Sequence, residues 1–365
     1  MHAEFMKEAL AQARLGLGRT SPNPAVGAVV VKNNVIVGRG YHVYAEKDHA
    51  EIVALNQAGD NAHGATMYVT LEPCSHLGRS GPCVERVIAS GITRVVAALQ
   101  DPNPRVCGRG FETLRKAGIE VVIDEQFQPE AESLNEAFLH RMRHAKPLVT
   151  LKSALTLDGK IAAPEDNSGW ITSEMARLHV QHLRHLTDVI LTGIGTVLAD
   201  DCLLTDRSGQ ERSRPLLRVV VDSQLRIPRE SKMVSSARQD LLVVCTSAAS
   251  AARRHALEEA GVEVAVLDSS DGRTNLADLI DLLAQRGYQS LMVEAGSKVN
   301  WAFLDKGLAD KIFFYYAPKI LGGTQSLPVA GGSGRRRRSE AIVLERMQLH
   351  AITGQEFAVE AWVQK

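Results

Sequence analysis

Cysteine is sparse in this 365-residue chain, five residues in all, and neither that odd number nor the spacing suits a disulfide framework. The expected setting is therefore a reducing cytoplasm. Excess charge is also missing. Lys and Arg number 42, as do Asp and Glu, so nothing global draws the chain to nucleic acid or an anionic membrane. No run of about 18 apolar residues occurs, which leaves no helix to cross a bilayer. The first residues lack the apolar core and cleavage site of a signal peptide. Aromatic residues make up 5%, too few for a base-stacking surface. There is no internal repeat. No G-x-G-x-x-G follows a strand, so the usual dinucleotide fingerprint is absent.

What remains is globular material, 45% hydrophobic and 23% charged, of a length that suits two or three units. Phe5, Met6, Ala9, Leu10, Ala13 and Leu17 fall near one helical face. AVGAVVV (25–31) and VIVGRGY (35–41) read as a hairpin turned at Asn33-Asn34. Helices are expected at 49–59, 83–91, 108–118 and 129–143, with strands at 66–72, 93–99 and 119–123. Such alternation means a sheet covered by helices. The pattern restarts after Lys146-Pro147 with a strand at 148–155. Strands are then expected at 188–193, 217–222, 240–246, 262–267 and 290–296, with helices at 173–186, 248–260, 275–286 and 297–307. Closing strands fall at 311–318 and after 340. The expected organisation is one domain at 1–145 and a second at 147–365, each large enough for its own core.

The first domain holds H-A-E at 49–51, E-P-C at 72–74 and P-C at 82–83. A catalytic zinc takes three protein ligands and keeps a fourth position for water. His49, Cys74 and Cys83 supply one imidazole and two thiolates for a single Zn2+. Cys83 opens a helix, whose positive end favours a thiolate. Glu51 reaches the same spot without ligating. It would take a proton from water acidified by the metal to a pKa of about 7 and return it to leaving ammonia. Singly, such a His is usually a cap and such a Cys a core residue; the combination is specific. The general deaminase signature is H-x-E with P-C-x-x-C. Here eight residues, S-H-L-G-R-S-G-P, separate the cysteines, which sets aside the cytidine and tRNA-adenosine patterns. A nucleic-acid editor would want a basic, aromatic surface near the zinc. A structural metal would want four closed ligands, and His76 is the one spare.

In the second domain, T-G-I-G-T-V (192–197) follows the strand DVIL, and E-A-G-S-K-V-N (294–300) joins LMV to a helix. A strand entering a helix through Gly lets phosphate approach backbone amides, although many such turns carry Gly for packing alone. The strings SPNPAVGAVV (21–30), TLEPCSHLGRSGPC (70–83) and QDPNPRVCGRG (100–110) closely resemble the riboflavin-pathway deaminase. LKSALTLDGK (151–160), WITS (170–173), TGIGTVLADD (192–201) and VEAG (293–296) resemble the riboflavin-pathway reductase. Over about residues 4–325 the chain is similar to the bifunctional riboflavin biosynthesis deaminase/reductase family.

The resemblance implies an α/β architecture: a cytidine-deaminase-like three-layer domain, then a dihydrofolate-reductase-like domain that uses NADPH. It implies deamination of 2,5-diamino-6-ribosylamino-4(3H)-pyrimidinone 5′-phosphate, then reduction of its ribosyl group to ribityl. Asn23 would hold pyrimidine or ribose, His76 and Arg79 the 5′-phosphate, with His42 a further candidate. The cofactor would contact Ala154, Trp170, Thr196, Asp200, Ser223 and the stretch from Gly296. The reductase substrate would contact Ser168, Arg184, Leu204, Arg207 and Glu294, the two arginines gripping phosphate with forked donors. Lys152 would polarise or protonate the opened sugar, and Asp158 and Glu294 are the carboxylates for proton traffic. The partners expected are small phosphoribosyl pyrimidines and a second copy of the chain, in a dimer or larger, with no nucleic acid and no membrane. Where the family carries A-D-D-P-x-L-T-V-R, this chain reads A-D-D-C-L-L-T-D-R, so Cys202 replaces proline and Asp206 sits beside Arg207. GGSGRRRRSE (331–340) reads as a solvated loop.

Overall fold

The computed structural model describes residues 2–77, 81–104, 106–165 and 168–365. Two compact units form: Met1–Lys146 with Glu211–Arg214, and Pro147–Gln210 with Pro215–Lys365. The segment 211–214, expected in the second unit, groups with the first, where the Ser213 amide donates to the Gly18 carbonyl at 3.1 Å.

The first unit runs α1 (His2–Leu15), β1 (Gly27–Lys32), β2 (Val35–Tyr41), α2 (Ala50–Ala58), β3 (Thr66–Val69) and α3 (Cys83–Ala89). It continues β4 (Arg94–Ala97), α4 (Arg109–Lys116), β5 (Glu120–Ile123), α5 (Gln128–Leu134) and α6 (Glu136–His144). The sheet order is β2-β1-β3-β4-β5, with β1 antiparallel to both neighbours and β3, β4 and β5 parallel. Asn33 and Asn34 make the hairpin turn at φ 52° and 60°, a region asparagine tolerates well. Gly38 and Gly40 let α2 press onto β2. A Cβ there would lie 2.1 Å from the Ala54 carbonyl oxygen and 2.3 Å from that of Ala50. The start of α2, which carries His49 and Glu51, is thereby fixed on the sheet.

The single helix expected at 129–143 is two. Asn135, buried, divides them: its side-chain oxygen accepts from the Ala25 amide at 2.7 Å, and its NH2 donates to the Ala25 carbonyl at 2.9 Å. The side chain thus pins the segment before β1, as a residue that competes with helical backbone bonding can.

The second unit runs β6 (Leu148–Thr156), β7 (Lys160–Ala162), α7 (Glu174–Leu186), β8 (Val189–Gly193), α8 (Ile194–Asp200), β9 (Leu217–Val221), α9 (Lys232–Ser235) and β10 (Leu241–Cys245). Then come α10 (Ala251–Glu259), β11 (Glu263–Val266), α11 (Leu276–Gln285), β12 (Ser290–Val293), α12 (Ser297–Asp305), β13 (Lys311–Ala317), β14 (Leu327–Pro328), β15 (Leu344–Ala351) and β16 (Phe357–Val363). Nine strands pair in the order β11-β10-β9-β8-β12-β6-β13-β16-β15. All neighbours are parallel except β13 with β16 and β16 with β15. The two faces of β6 separate core from site. Leu151 and Leu155 join Phe303 of α12 and Leu279 of α11 in the core. Lys152 and Ala154 lie in register with Phe313 and Tyr315, on the face that α7 covers through Ala176 and Val180.

Candidate active sites

His49 is the N-cap residue of α2, in extended conformation, and its side chain makes no capping bond, so its ring faces the cysteines. Nδ1 lies 3.2 Å from Cys83 Sγ and 3.5 Å from Cys74 Sγ, and the three donor atoms fall within 4.8 Å of one another. Zinc bonds of about 2.0–2.3 Å at tetrahedral angles would set such donors roughly 3.5 Å apart, so the donor set fits that ion. The first amide of α3, from Cys83, donates to Cys74 Sγ at 3.3 Å. The helix start expected to serve Cys83 therefore serves the other sulfur. Hydrogen bonding from the Cys83 thiol, then from His49, lowers the Cys74 thiol well below its ordinary range, against burial. The same contact raises Cys83, and a cation between the sulfurs would favour both thiolates. Glu51, buried, has its carboxyl pushed up by burial first and the Cys74 charge next. That is the state of a group able to hold a proton.

Glu72 stands out only once the fold is seen. Its buried carboxylate accepts from the backbone amides of Asp101 (3.2 Å), Gly108 (2.9 Å), Gly110 (2.9 Å) and Phe111 (3.3 Å). It joins the loop carrying Cys74 to the one entering α4. Gly110 is required there, since a Cβ would lie 2.2 Å from the Pro73 carbonyl oxygen. The signal in the sequence was an acid two residues before a ligand and a later C-G-R-G. Asn23 Nδ2 lies 3.0 Å from His42 Nε2, and the His42 ring centroid is 5.0 Å from that of His49. Asn23 and His42 thus stand beside the metal-type cluster. His76 is half-buried, and its Nδ1 has no hydrogen-bond partner among the described residues. Arg79 lies outside the described residues.

In the second unit, Glu294 follows β12 and gathers two cations. Lys152 Nζ lies 3.1 Å from one oxygen, and Arg184 donates through Nε at 2.8 Å and Nη2 at 3.0 Å. Arg184 Nη1 donates to the Thr205 carbonyl at 3.0 Å. Its fork, expected to grip phosphate, is turned to Glu294 and the backbone. Burial pushes the Glu294 carboxyl up, but Lys152 and then Arg184 outweigh it and hold the group at about 2. Asp158 accepts from Thr156 and from the amides of Leu321 and Gly322. Its carboxylate is committed to that loop and held at about 2, chiefly by the Thr156 hydroxyl. Arg207 is exposed, its amide bound by Gln181 Oε1 at 2.9 Å. Asp206 turns inward to His185 Nδ1 at 3.1 Å. Leu204 is buried at φ 49°, and Cys202 is half-buried, its thiol pushed up to about 11 by burial. Tyr315, which the sequence reading did not single out, has its hydroxyl 2.6 Å from His179 Nδ1 and its ring 5.8 Å from Lys152 Nζ.

The two glycine turns lie side by side at the carboxyl ends of the neighbouring parallel strands β8 and β12. A Cβ on Gly193 would fall 2.7 Å from Val299 of α12, and one on Gly296 would lie 3.8 Å from Thr196 Oγ1. The carboxyl edge of a parallel sheet is where α/β folds bind ligands. Ser297 Oγ, buried just past the second turn, has no hydrogen-bond partner among the described residues. Ala154 is half-buried in β6, and Ser223 follows β9, its carbonyl accepting from the Thr246 amide at 3.1 Å. Asp200 ends α8 on the surface. Ser168 and Trp170 are exposed, with the Arg177 guanidinium 4.9 Å from the Trp170 ring centroid. The 331–340 loop is anchored by Arg335, which pairs with Asp305 at 2.7 Å and lies 5.3 Å from the Trp301 ring centroid.

Residues 1–99 match the cytidine and deoxycytidylate deaminase zinc-binding region, and residues 147–354 match the RibD C-terminal domain. Fold and sites together define a two-part enzyme, a zinc-dependent deaminase joined to a reductase of dihydrofolate-reductase-like fold. The riboflavin biosynthesis protein RibD of Bacillus amyloliquefaciens is 40% identical over 352 residues, 96% of this chain and 94% of that protein. Acinetobacter baumannii RibD (form 1) superposes with a TM-score of 0.88 at 35% identity, over 99% of this chain and 98% of that one. A Thermotoga maritima structure, described as a diaminohydroxyphosphoribosylaminopyrimidine deaminase/5-amino-6-(5-phosphoribosylamino)uracil reductase, gives a TM-score of 0.82 at 35% identity, over 99% and 98%. The chain belongs to the RibD family, the bifunctional deaminase/reductases of riboflavin biosynthesis. Membership implies zinc in the first unit and NADPH in the second.

Proposed function

We propose that the first unit deaminates 2,5-diamino-6-ribosylamino-4(3H)-pyrimidinone 5′-phosphate, and that the second reduces the ribosyl group of 5-amino-6-(5-phosphoribosylamino)uracil to ribityl. The observation that carries this reading is the convergence of His49, Cys74 and Cys83 beside the buried Glu51, in a chain whose other unit is a reductase domain. His49, Cys74 and Cys83 hold the metal, which supplies the Lewis acidity that makes water a nucleophile at neutral pH. Glu51, its carboxyl pushed up by burial, would hold and pass the proton between the attacking water and the departing amine. Asn23, backed by His42, orients the pyrimidine, and His76 and Arg79 receive the 5′-phosphate.

In the second unit NADPH supplies the hydride. Lys152 holds a proton toward the opening sugar, and Glu294 keeps that ammonium in place. Arg184 positions Glu294, and the exposed Arg207 takes the phosphate. Ser168 and Leu204 complete the substrate contacts, while Ala154, Trp170, Thr196, Asp200, Ser223 and Gly296 line the cofactor. Residence in the cytoplasm agrees with five unpaired cysteines. Assembly into a dimer or larger agrees with the exposed Leu344, Met347 and Leu349 on the edge strand β15. The test is to purify the full chain, measure its zinc, and follow ammonia release and NADPH oxidation on the two intermediates. Ammonia release from metal-free protein, or no NADPH oxidation on the deaminated intermediate, would overturn the proposal.

A further inference from the structure

A lysine ammonium is a compact charge on a flexible four-carbon stem. The bond from Lys152 to Glu294, at 3.1 Å, fixes a distance and leaves the direction open. A second acid stands on the same face of the sheet. Glu360 of β16 pairs in register with Phe313 of β13, which pairs in turn with Lys152 of β6, and residues in register share a face. Glu360 already holds Lys311 and His350, the latter at 2.6 Å.

The strand between the two acids, β13, carries an aromatic wall. The Phe313 and Tyr315 ring centroids are 5.3 Å apart, and the His179 ring of α7 lies 5.6 Å from the first and 5.8 Å from the second. Tyr315 is 1% exposed, which keeps it from touching a ligand itself. Lys152 Nζ lies 5.8 Å from the Tyr315 ring centroid, inside the roughly 6 Å reach of cation–π attraction. That ammonium is nearly buried, so water weakens the attraction little. The Tyr315 hydroxyl lies 2.6 Å from His179 Nδ1. Burial, then Glu294 and Glu360, push the phenol up and keep it protonated. Burial, then His182 and His350, hold the His179 ring below its ordinary value. A protonated phenol and a neutral imidazole suit one another as donor and acceptor. The wall is thus locked without any charge of its own.

We infer that Tyr315 is a positioning residue for the reduction: its ring face, wedged by Phe313 and His179, holds the Lys152 ammonium on the Glu294 side of the sheet. The inference rests on the reading of Lys152 given above and says what aims that group. The test is steady-state NADPH oxidation by the full chain on 5-amino-6-(5-phosphoribosylamino)uracil. Tyr315→Leu should lower kcat by about 5–30-fold, the range of a desolvated cation–π contact, with KM for both reactants within about twofold. Tyr315→Phe keeps the ring and should retain kcat within about twofold. In a Lys152→Ala background, Tyr315→Leu should cost less than about twofold more, because the group it aims is gone. Should Tyr315→Leu not fold, Tyr315→Met, whose unbranched chain fills the space, takes its place in both backgrounds. Wild-type kcat in Tyr315→Leu, equal loss in Tyr315→Phe, or undiminished loss in the Lys152→Ala background overturns the inference and leaves the Lys152 reading standing. Wild-type kcat in Lys152→Ala itself would overturn both.

Discussion

Replacing Glu294 by glutamine keeps the shape of the side chain and removes its charge, with Lys152 and Arg184 left facing an amide. Both cations are nearly buried, their side chains 11% and 9% exposed, so water does little to compensate. The Glu294 carboxyl sits at about 2 instead of 4.5. At about 1.4 kcal/mol per pH unit, that depression corresponds to roughly 3 kcal/mol of stability from the charged form. Breaking a buried ion pair on one side costs about 3–5 kcal/mol, which agrees. For a unit of this size each kcal/mol moves the thermal midpoint by about 2–4 °C, so Glu294→Gln should lower the reductase transition by roughly 6–12 °C. Because the folded carboxyl titrates below its ordinary range, the wild-type advantage is fully present above about pH 5. It shrinks as pH falls from about 4.5 toward 2. Scanning calorimetry of both proteins across that range measures it. A variant whose reductase transition stays within about 2 °C of wild type at neutral pH would show that the carboxylate does not hold the two cations, and the argument would fail.

Cys83→Ala should remove the zinc and ammonia release together and leave NADPH oxidation of the deaminated intermediate intact; metal analysis and both assays on one preparation decide it. Glu51→Gln should retain zinc and lose deamination by about 10²–10⁴-fold; retention of more than about a tenth, a loss of only ~1.4 kcal/mol, would remove Glu51 from the proton transfers. Glu72→Gln places an NH2 where amides now point, so zinc affinity measured by chelator competition should fall about 10–100-fold, as when an outer partner of a metal site is lost. Arg207→Ala should raise the reductase KM, and Lys152→Ala should lower its kcat, with deamination unchanged in both; equal damage to the two half-reactions would contradict separate sites.

The strand and helix alternation was legible because its signals are local: apolar runs, Gly stops and the Asn33-Asn34 turn. The His49, Cys74 and Cys83 set was legible because ligand chemistry restricts residue type. Arg184 was not, since an arginine that grips phosphate and one that steadies a buried acid look alike until the fold shows where the fork points. Asp206 posed the same difficulty: beside Arg207 in sequence it could weaken a phosphate grip or simply point away, and the fold shows it facing His185. The break at Asn135 and the work of Glu72 depend on backbone partners distant in the chain, at Ala25 and at 101–111. No periodicity carries such information.

The Cys83 amide and the Glu72 carboxylate fasten the two ends of the Cys74–Cys83 stretch independently of what lies between them. One end is sewn to the 101–111 loop by backbone amides that donate to the Glu72 carboxylate, and the other returns to Cys74 Sγ through the opening amide of a helix. The donor geometry is thus tied to the Glu72 carboxylate on one side and to the first amide of α3 on the other. A deaminase built this way can change what it recognises without rebuilding how it reacts. The eight-residue spacer is then a natural graft point for directing the zinc unit toward other amino-substituted heterocycles.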